Sequence, residues 1–349
     1  MIELLVATGV TGVIMAATLA GLGDVQKSNE VLLGLADMNK GLRASMNIIE
    51  RDMLQVGSGL PPGHIVMVPS GTGSSQVRIP GPPGSTLKTD VGDTDIAAVI
   101  PNPAKGPKIN DVDSDVLTVL MADNTFLDVG LTASTSTTVT VAAGPDLANG
   151  PDRVTTGQLM MISKGSTTTL VQVTGVNTSS RILTFADADS LNLNQSNAAA
   201  GNLKALNAAD PANSPANMRI SRIRMITYYL DATTDSAHPR LVRRINNGNP
   251  TTFDNTLGTA LATDIDYLKF TFDLNDGASN PADVAMTVTD MAGGGACGSN
   301  PCSPTQVRKV NVTVGGRSAR QDLQSSRNLR NTLTSQVAFR GMAFVDEYR

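Results

Sequence analysis

Residues 1–56 read MIELLVATGVTGVIMAATLAGLGDVQKSNEVLLGLADMNKGLRASMNIIERDMLQV, and this stretch decides the fold because its pattern predicts one long helix with two chemically different halves. Glu3 stands at the front, and the run from Leu4 to Gly23 contains no charged side chain. At about 1.5 Å rise per residue this run spans about 30 Å, the thickness of the hydrocarbon core of a bilayer. The segment 1–23 is therefore predicted to be able to lie in lipid.

The second half of the helix, 24–56, changes character without an obvious break. Its apolar residues recur every three or four positions, which places them on one helical face. A stripe of this kind packs against another layer, and we expect that layer to be a β-sheet. Glycines and prolines between Gly57 and Pro62 predict the end of the helix. The residues predicted to pack on the sheet are Leu35, Met38, Leu42, Met46, Ile49 and Met53, followed by Val56.

The rest of the chain is predicted to be mainly β-structure. Residues 57–122 combine loops with the first strands, and residues 123–217 contain short Thr- and Val-rich runs that indicate an inserted β-rich subdomain followed by a surface loop. Residues 218–349 alternate polar and apolar side chains and predict the main antiparallel sheet with a cysteine loop. The predicted class is α+β, a long N-terminal helix packed on an antiparallel sheet.

Composition and charge limit the choice of partner. The net charge of −4 over 349 residues gives no overall attraction to nucleic acid. The most basic patch has no accompanying aromatic side chains, so we interpret it as a solvated strand face and do not expect nucleic acid as a partner. Its members are Arg219, Arg222, Arg224, Arg240, Arg243 and Arg244.

The two cysteines, Cys297 and Cys302, lie close together in the loop sequence GACGSNPCSP. Four residues separate them, which does not fit the C-x-x-C spacing of redox and zinc motifs. Outside the cytosol such a pair favours a local disulfide. Two free thiols are the alternative.

Candidate catalytic and metal-binding residues are few. His64 and His238 both lie in loop contexts without a sequence partner that would indicate a nucleophile or a zinc site. The acidic runs at 111–115 and 273–277 have the oxygen spacing of a calcium loop, but neither completes the EF-hand pattern, and solvated turns are the favoured interpretation. We therefore predict no catalytic, cofactor-binding or metal-binding residue, no cofactor and no enzymatic activity.

The N-terminus also resembles a known family. Met1-Ile2-Glu3-Leu4-Leu5-Val6-Ala7 is similar to the end of the prepilin cleavage and methylation motif and the start of the hydrophobic helix of type IV pilin-like proteins. A cleavable signal peptide would have a basic start and a shorter apolar core. A plain membrane anchor would leave Glu3 without a role. The pilin-like interpretation accounts for both features.

Later segments carry a second, narrower resemblance. Residues 49–53 (IERDM), the run YYLDA…HPRLVRRIN from 228 to 246, DIDYLKFTFDL at 264–274 and VRKVNVTVGGRS at 307–318 resemble W-type minor pilins and the J-type pseudopilins of type II secretion. This resemblance covers the helix and about residues 218–340, and 123–215 has no counterpart in it. It implies a pilin-like fold in which the β-rich block is an addition.

The resemblance assigns roles to single residues. It implies that Glu3, with Leu4 and Leu5, takes part in filament assembly, and that the Glu3 carboxylate neutralises the N-terminal amine of a neighbouring subunit in an apolar core. An unpaired carboxylate there would be very costly, which agrees with that role. Only two residues precede Glu3, fewer than the family usually has, so the methylated first residue of the mature chain is not assigned.

Two functions are compatible with these features. The first is a structural subunit of a type IV pilus or related filament, used for adhesion, motility, uptake or secretion. The second is a minor pilin or pseudopilin that primes or caps such a filament and binds a partner through its head. Either function implies an inner-membrane location before assembly and then an extracellular filament. The expected partners are other pilin subunits through the N-terminal helices, the prepilin peptidase and the assembly machinery.

Overall fold

The computed structural model describes residues 2–61, 63–89, 93–208, 215–246, 258–274, 307–322 and 327–342. It has an N-terminal helix, α1 (Ile2–Met53), of 52 residues and a β-rich head, so the predicted α+β class is confirmed. The helix ends three residues before the predicted Val56. After Leu54 the amide groups bond three residues back, and the Gly57 amide donates to the carbonyl of Leu120, so the chain leaves the helix to join a strand.

In its described residues the head consists of short and medium-length strands and one further short α-helix. The helix α2 spans Leu203–Ala208. The strands are β1 (Ile65–Met67), β2 (Asp95–Ala97), β3 (Val99–Asn102), β4 (Lys108–Ile109), β5 (Val112–Asp113), β6 (Val116–Ala122), β7 (Val129–Ser134), β8 (Thr138–Val141), β9 (Leu159–Lys164), β10 (Thr167–Gln172), β11 (Gly175–Asn177), β12 (Ile182–Thr184), β13 (Met218–Asp231), β14 (Arg240–Ile245), β15 (Thr259–Thr263), β16 (Ile265–Leu274), β17 (Val307–Asp322) and β18 (Arg327–Ala338).

Strand β13 is the centre of the largest sheet, which has 11 strands. Its first part pairs with β9 and β7, and its later part pairs with β6 and β14, always antiparallel. The strand order through the sheet is β10-β9-β13-β7-β8-β12-β11, with β3-β6 and β14-β15 attached through β13. Every residue of β6 is buried, which agrees with its continuous run of mostly apolar side chains.

A second sheet of three strands, β16-β17-β18, lies under the helix. Its apolar face, the lower part of α1 and one face of β6 and β13 together enclose the largest apolar core of the described residues. In that core, Ile49 and Met53 of the helix are fully buried together with Phe272, Val312 and Tyr228. The helix thus packs on antiparallel sheets, as the apolar stripe predicts.

Two features differ from the sequence-based expectation. The strands predicted as one main sheet after residue 218 divide between the two sheets, and β9, from the block 123–217, pairs directly with β13. The segment predicted as a surface loop is also partly internal, because Leu191 and Leu193 are fully buried. The Asp189 carboxylate accepts hydrogen bonds from three backbone amides there, which satisfies the buried loop.

Candidate functional site

The most unusual surface of the molecule is the N-terminal half of α1. From Ile2 to Gly23 none of the described side chains is buried; Ile2 is 80 % exposed and Leu4 is 73 % exposed. Among the described residues α1 is the one helix long and apolar enough to cross a membrane. The exposed large apolar side chains of this half are Ile2, Leu4, Val6, Val10, Val13, Ile14, Met15, Leu19 and Leu22.

Glu3 lies in the first turn of α1 and is exposed. Its carboxylate is the single formal charge between Ile2 and Gly23. A carboxylate in the first turn interacts favourably with the positive end of the helix dipole. In the part of the chain that the structure describes, it has no ion-pair partner. Leu4 is exposed beside it, and the side chain of Leu5 lies outside the described part.

The helix enters the head gradually. Leu35 and Met38 are half-buried, whereas Leu42, Met46 and Ile49 are almost completely buried in the core shared with the sheets. Burial of each such side chain contributes about 1.5 to 3 kcal/mol. The turns of the helix from Leu35 to Met53 are therefore fixed to the head, while the turns before Leu35 project from it.

A buried ionic cluster fixes the end of the helix. Asp52 accepts hydrogen bonds from the Tyr228 hydroxyl of β13 and from Arg243 Nε of β14, the latter at 2.5 Å. Burial and the Asp52 charge raise the pKa of Tyr228 well above its usual range, so the hydroxyl stays protonated and donates. These contacts join α1 to two strands of the large sheet.

Two hydrogen bonds join the other side of the helix to β18. Asn331 Nδ2 donates to Asn39 Oδ1 at 2.6 Å, and the Ser335 hydroxyl donates to Glu50. Because these contacts are two to three turns apart along α1, they fix the helix direction as well as its position. The helix is therefore held by both sheets.

The role of Asp52 as an anchor is not predicted by the apolar stripe. Asp52 lies three residues after Ile49 on the buried face and is 4 % exposed. An acidic residue at helical spacing within an apolar stripe indicates a buried partner, and this signal could have identified it. The partner, Arg243, is 191 residues away and carries no such signal.

The basic patch is solvated only in part, since Arg219 and Arg224 are about two-fifths exposed, and the interpretation as a solvated face was wrong for Arg222 and Arg244. Arg222 and Arg244 are buried, and Arg222 lies with Arg224 around the carboxylate of Asp123. Although burial opposes it, hydrogen bonds from Thr125 and Arg224 lower the pKa of Asp123. The Asp123 carboxylate supplies the negative charge for Arg222 and Arg224, because an unpaired buried charge is too costly.

The remaining candidate residues do not converge on one site. Asp115 is buried and bound to Lys269 Nζ at 2.8 Å, while Asp111 and Asp113 are exposed. No group of three or more His, Cys, Asp or Glu residues that could hold a metal ion occurs among the described residues. His64 and His238 lie in separate loops. The predicted Cys297–Cys302 disulfide and most of the acidic run 273–277 fall outside the described residues.

Comparisons of the chain with protein-family models, with curated proteins and with solved structures gave no match. The distinctive feature of the structure is a long helix that is fixed to the head over one half and exposes apolar side chains over the other.

Proposed function

We propose that this chain is a pilin-type structural subunit that polymerises through its N-terminal helix. The observation that carries the proposal is the contrast within α1, which is exposed and apolar from Ile2 to Gly23 and anchored in the head from Leu42 onward. A single soluble copy would leave this apolar surface in water, which is unfavourable. The surface therefore requires a membrane or other copies of the chain around it.

The apolar half occupies these two surroundings one after the other. Before assembly the apolar half lies in the inner membrane, whose thickness its length matches. After assembly the same half is buried among the helices of neighbouring copies, and the heads face the extracellular solvent. Contacts of this kind join two different surfaces of the subunit, so they do not close and they produce an open helical filament.

Glu3 supplies specificity in this arrangement. Within an apolar bundle its carboxylate needs a positive partner, and the N-terminal amine of a neighbouring subunit is the group that the pilin resemblance implies. The pair would fix the axial offset between adjacent helices, because a shift by one turn would bury both charges unpaired.

The test compares Glu3→Ala with Asp24→Ala in the full-length chain. Asp24 is an exposed carboxylate at the end of the apolar half, where it pairs with Lys27 at 3.7 Å. We expect Glu3→Ala to remain in the membrane and to lower filament yield at least about tenfold, since an unpaired buried charge costs about 3 to 5 kcal/mol. Asp24→Ala should assemble normally. Normal yield from Glu3→Ala would refute the role of Glu3.

Labelling of the head with gold distinguishes a repeating subunit from a minor one. Label along the whole filament length supports the structural subunit proposed here. Label confined to one tip would instead show that the chain primes or caps a filament made of other subunits.

A further inference from the structure

A groove separates the upper part of α1 from the strands beside it. It has a volume of about 870 Å³ and lies where the helix leaves the head. Val31, Gly34 and Met38 form the helix wall. The opposite wall belongs to β15, β17 and β18 and includes Ala262, Ala319 and Leu329. We name this feature the helix–ribbon groove, where the ribbon is the wall of strands β15, β17 and β18.

The groove is held in shape by contacts at its lower end. A Cβ atom placed on Gly41 would lie 3.7 Å from the Cβ of Ala262, so helix and strand touch there. The hydrogen bond between Asn331 and Asn39 closes the side toward β18. Above these contacts a Cβ atom placed on Gly34 would lie 4.0 Å from the Cβ of Ser318, so β17 also lies beside the helix there. The two walls are thus parts of regular structure and need no rearrangement to receive an occupant.

Three of the charged side chains at the rim, Lys27, Asp264 and Arg317, already have partners of their own, while Asp37 is exposed to solvent. Lys27 pairs with Asp24, and Asp264 Oδ1 lies 2.6 Å from His238 Nδ1. Arg317 donates a hydrogen bond to the carbonyl of Ala237. An occupant that brings a charge would therefore gain little from these groups and would have to desolvate its own charge. The groove suits an uncharged, apolar occupant.

The chain itself contains such a segment. The run from Leu4 to Gly23 is uncharged, apolar and exposed. The groove is also continuous with the exposed face of α1 through Leu33, which lines it and is 66 % exposed. If the apolar run of a neighbouring copy packs along this face, it can extend into the groove.

We propose that the helix–ribbon groove receives the apolar half of α1 from a second copy of the chain. This inference rests on the proposed function and specifies which surface of one subunit meets the helix of the next. A helix about 10 Å in diameter that rises about 1.5 Å per residue occupies roughly 120 Å³ per residue, so the groove holds about two turns. The head thereby contributes directly to the contact between subunits.

Site-specific photo-crosslinking in the assembled full-length chain tests the inference. The photoreactive amino acid p-benzoylphenylalanine replaces Ala319, an exposed groove residue, and in a control it replaces Ala133, an exposed residue of β7. Polymers are grown from a mixture of isotopically heavy and light copies. We expect the probe at Ala319 to cross-link to the tryptic peptide that ends at Lys27, and the cross-links should join a heavy copy to a light copy, which shows that they form between subunits. The probe at Ala133 should not cross-link to this peptide.

Substitution with a bulky side chain supplies a second measurement. Ala319→Trp fills the groove, whereas Ala133→Trp leaves it empty, and both positions are exposed, so folding should be retained and is checked by thermal unfolding. We expect Ala319→Trp to lower polymer yield about tenfold relative to Ala133→Trp, because overpacking opposes docking.

The outcomes separate the two proposals. Polymers whose Ala319 cross-links lead only to the same copy, or to peptides other than the N-terminal one, contradict the groove inference and leave the filament function intact. The same holds if Ala319→Trp polymerises as well as Ala133→Trp. A full-length chain that forms no polymer contradicts both proposals.

Discussion

Asp52 is the residue that links the helix most firmly to the head. Substitution Asp52→Ala would leave the partly buried guanidinium of Arg243 without its carboxylate and the buried Tyr228 hydroxyl without its acceptor. We expect a loss of about 3 to 5 kcal/mol in the free energy of unfolding. Thermal unfolding should show a midpoint lower by about 10 °C.

Arg51→Ala is the matched control for this prediction. Arg51 is the adjacent residue on the same helix and is exposed, so its removal should change the free energy of unfolding by less than about 0.5 kcal/mol. Equal midpoints for the Asp52→Ala and Arg51→Ala variants would show that the buried cluster does not anchor the helix.

His64 predicts a pH dependence of stability. The imidazole is buried, and the backbone of Gly57 lies beside it. Burial lowers the pKa of His64 below its usual value of 6.5, so the folded protein favours the neutral ring. The stabilisation is complete above about pH 6.5 and is lost as the pH falls through 6.5 toward the folded pKa, because the unfolded chain takes up the proton first.

Thermal unfolding between pH 7.5 and pH 5 checks this dependence. The carboxylates whose pKa values are lowered, such as Asp123 and Asp231, lose their contribution only in more acidic solution, so they do not interfere in this window. His64→Asn should flatten the decline, because it removes the titrating ring. Asn is chosen because it also tolerates the positive φ of 53° at this position. His238→Asn, at a half-exposed ring, is the control and should retain the decline. An unchanged decline in His64→Asn would assign it to another group.

The end of α1 depends on Gly57. Its φ of +78° is unfavourable for other residues, and a Cβ atom there would lie 2.8 Å from Met342 Cγ. Gly63 also has a positive φ, of +87°, but a Cβ atom there meets nothing within 4 Å. We expect Gly57→Ala to destabilise the protein by at least about 1 kcal/mol more than Gly63→Ala, measured by urea unfolding. Equal costs would show that only the backbone conformation matters at Gly57.

At the scale of elements, local sequence patterns predict the helix and the strands, but they do not predict which strands pair. The spacing of Leu42, Met46 and Ile49 indicates the buried helix face, and the alternation in 219–230 indicates β13, because both signals are periodic and local. The pairing of β9 with β13 joins residues about 60 positions apart. Periodicity does not identify a strand's neighbour, which explains why the block 123–217 was expected to form a separate subdomain.

At the scale of candidate sites the same distinction holds. Glu3 stands out from the sequence because it is the single charge in an apolar run. The helix–ribbon groove has no sequence signal, since its walls, Gly34 and Ala319 among them, come from elements about 285 residues apart in the chain. Such a surface becomes visible only when the packing of α1 beside β17 and β18 is known.

At the scale of the whole molecule, the head is a platform that holds one half of a long helix and presents the other half. Two sheets, the Asp52 cluster and the hydrogen bonds to β18 fix the direction of α1. A rigidly directed apolar rod suits repeated addition of identical copies, since each copy then presents the same surface at the same angle. The order of events, membrane first and filament second, follows from the proposed function.

Electron cryo-microscopy of the assembled full-length chain tests the central claim most directly. The account predicts a helical filament in which residues 2–23 of every copy form the axial bundle, with Glu3 beside the N-terminus of a neighbour and the β-rich heads outside. Particles that remain single copies in detergent under assembly conditions, or a filament in which the heads meet at the axis and the N-terminal helices lie at the surface, would contradict it.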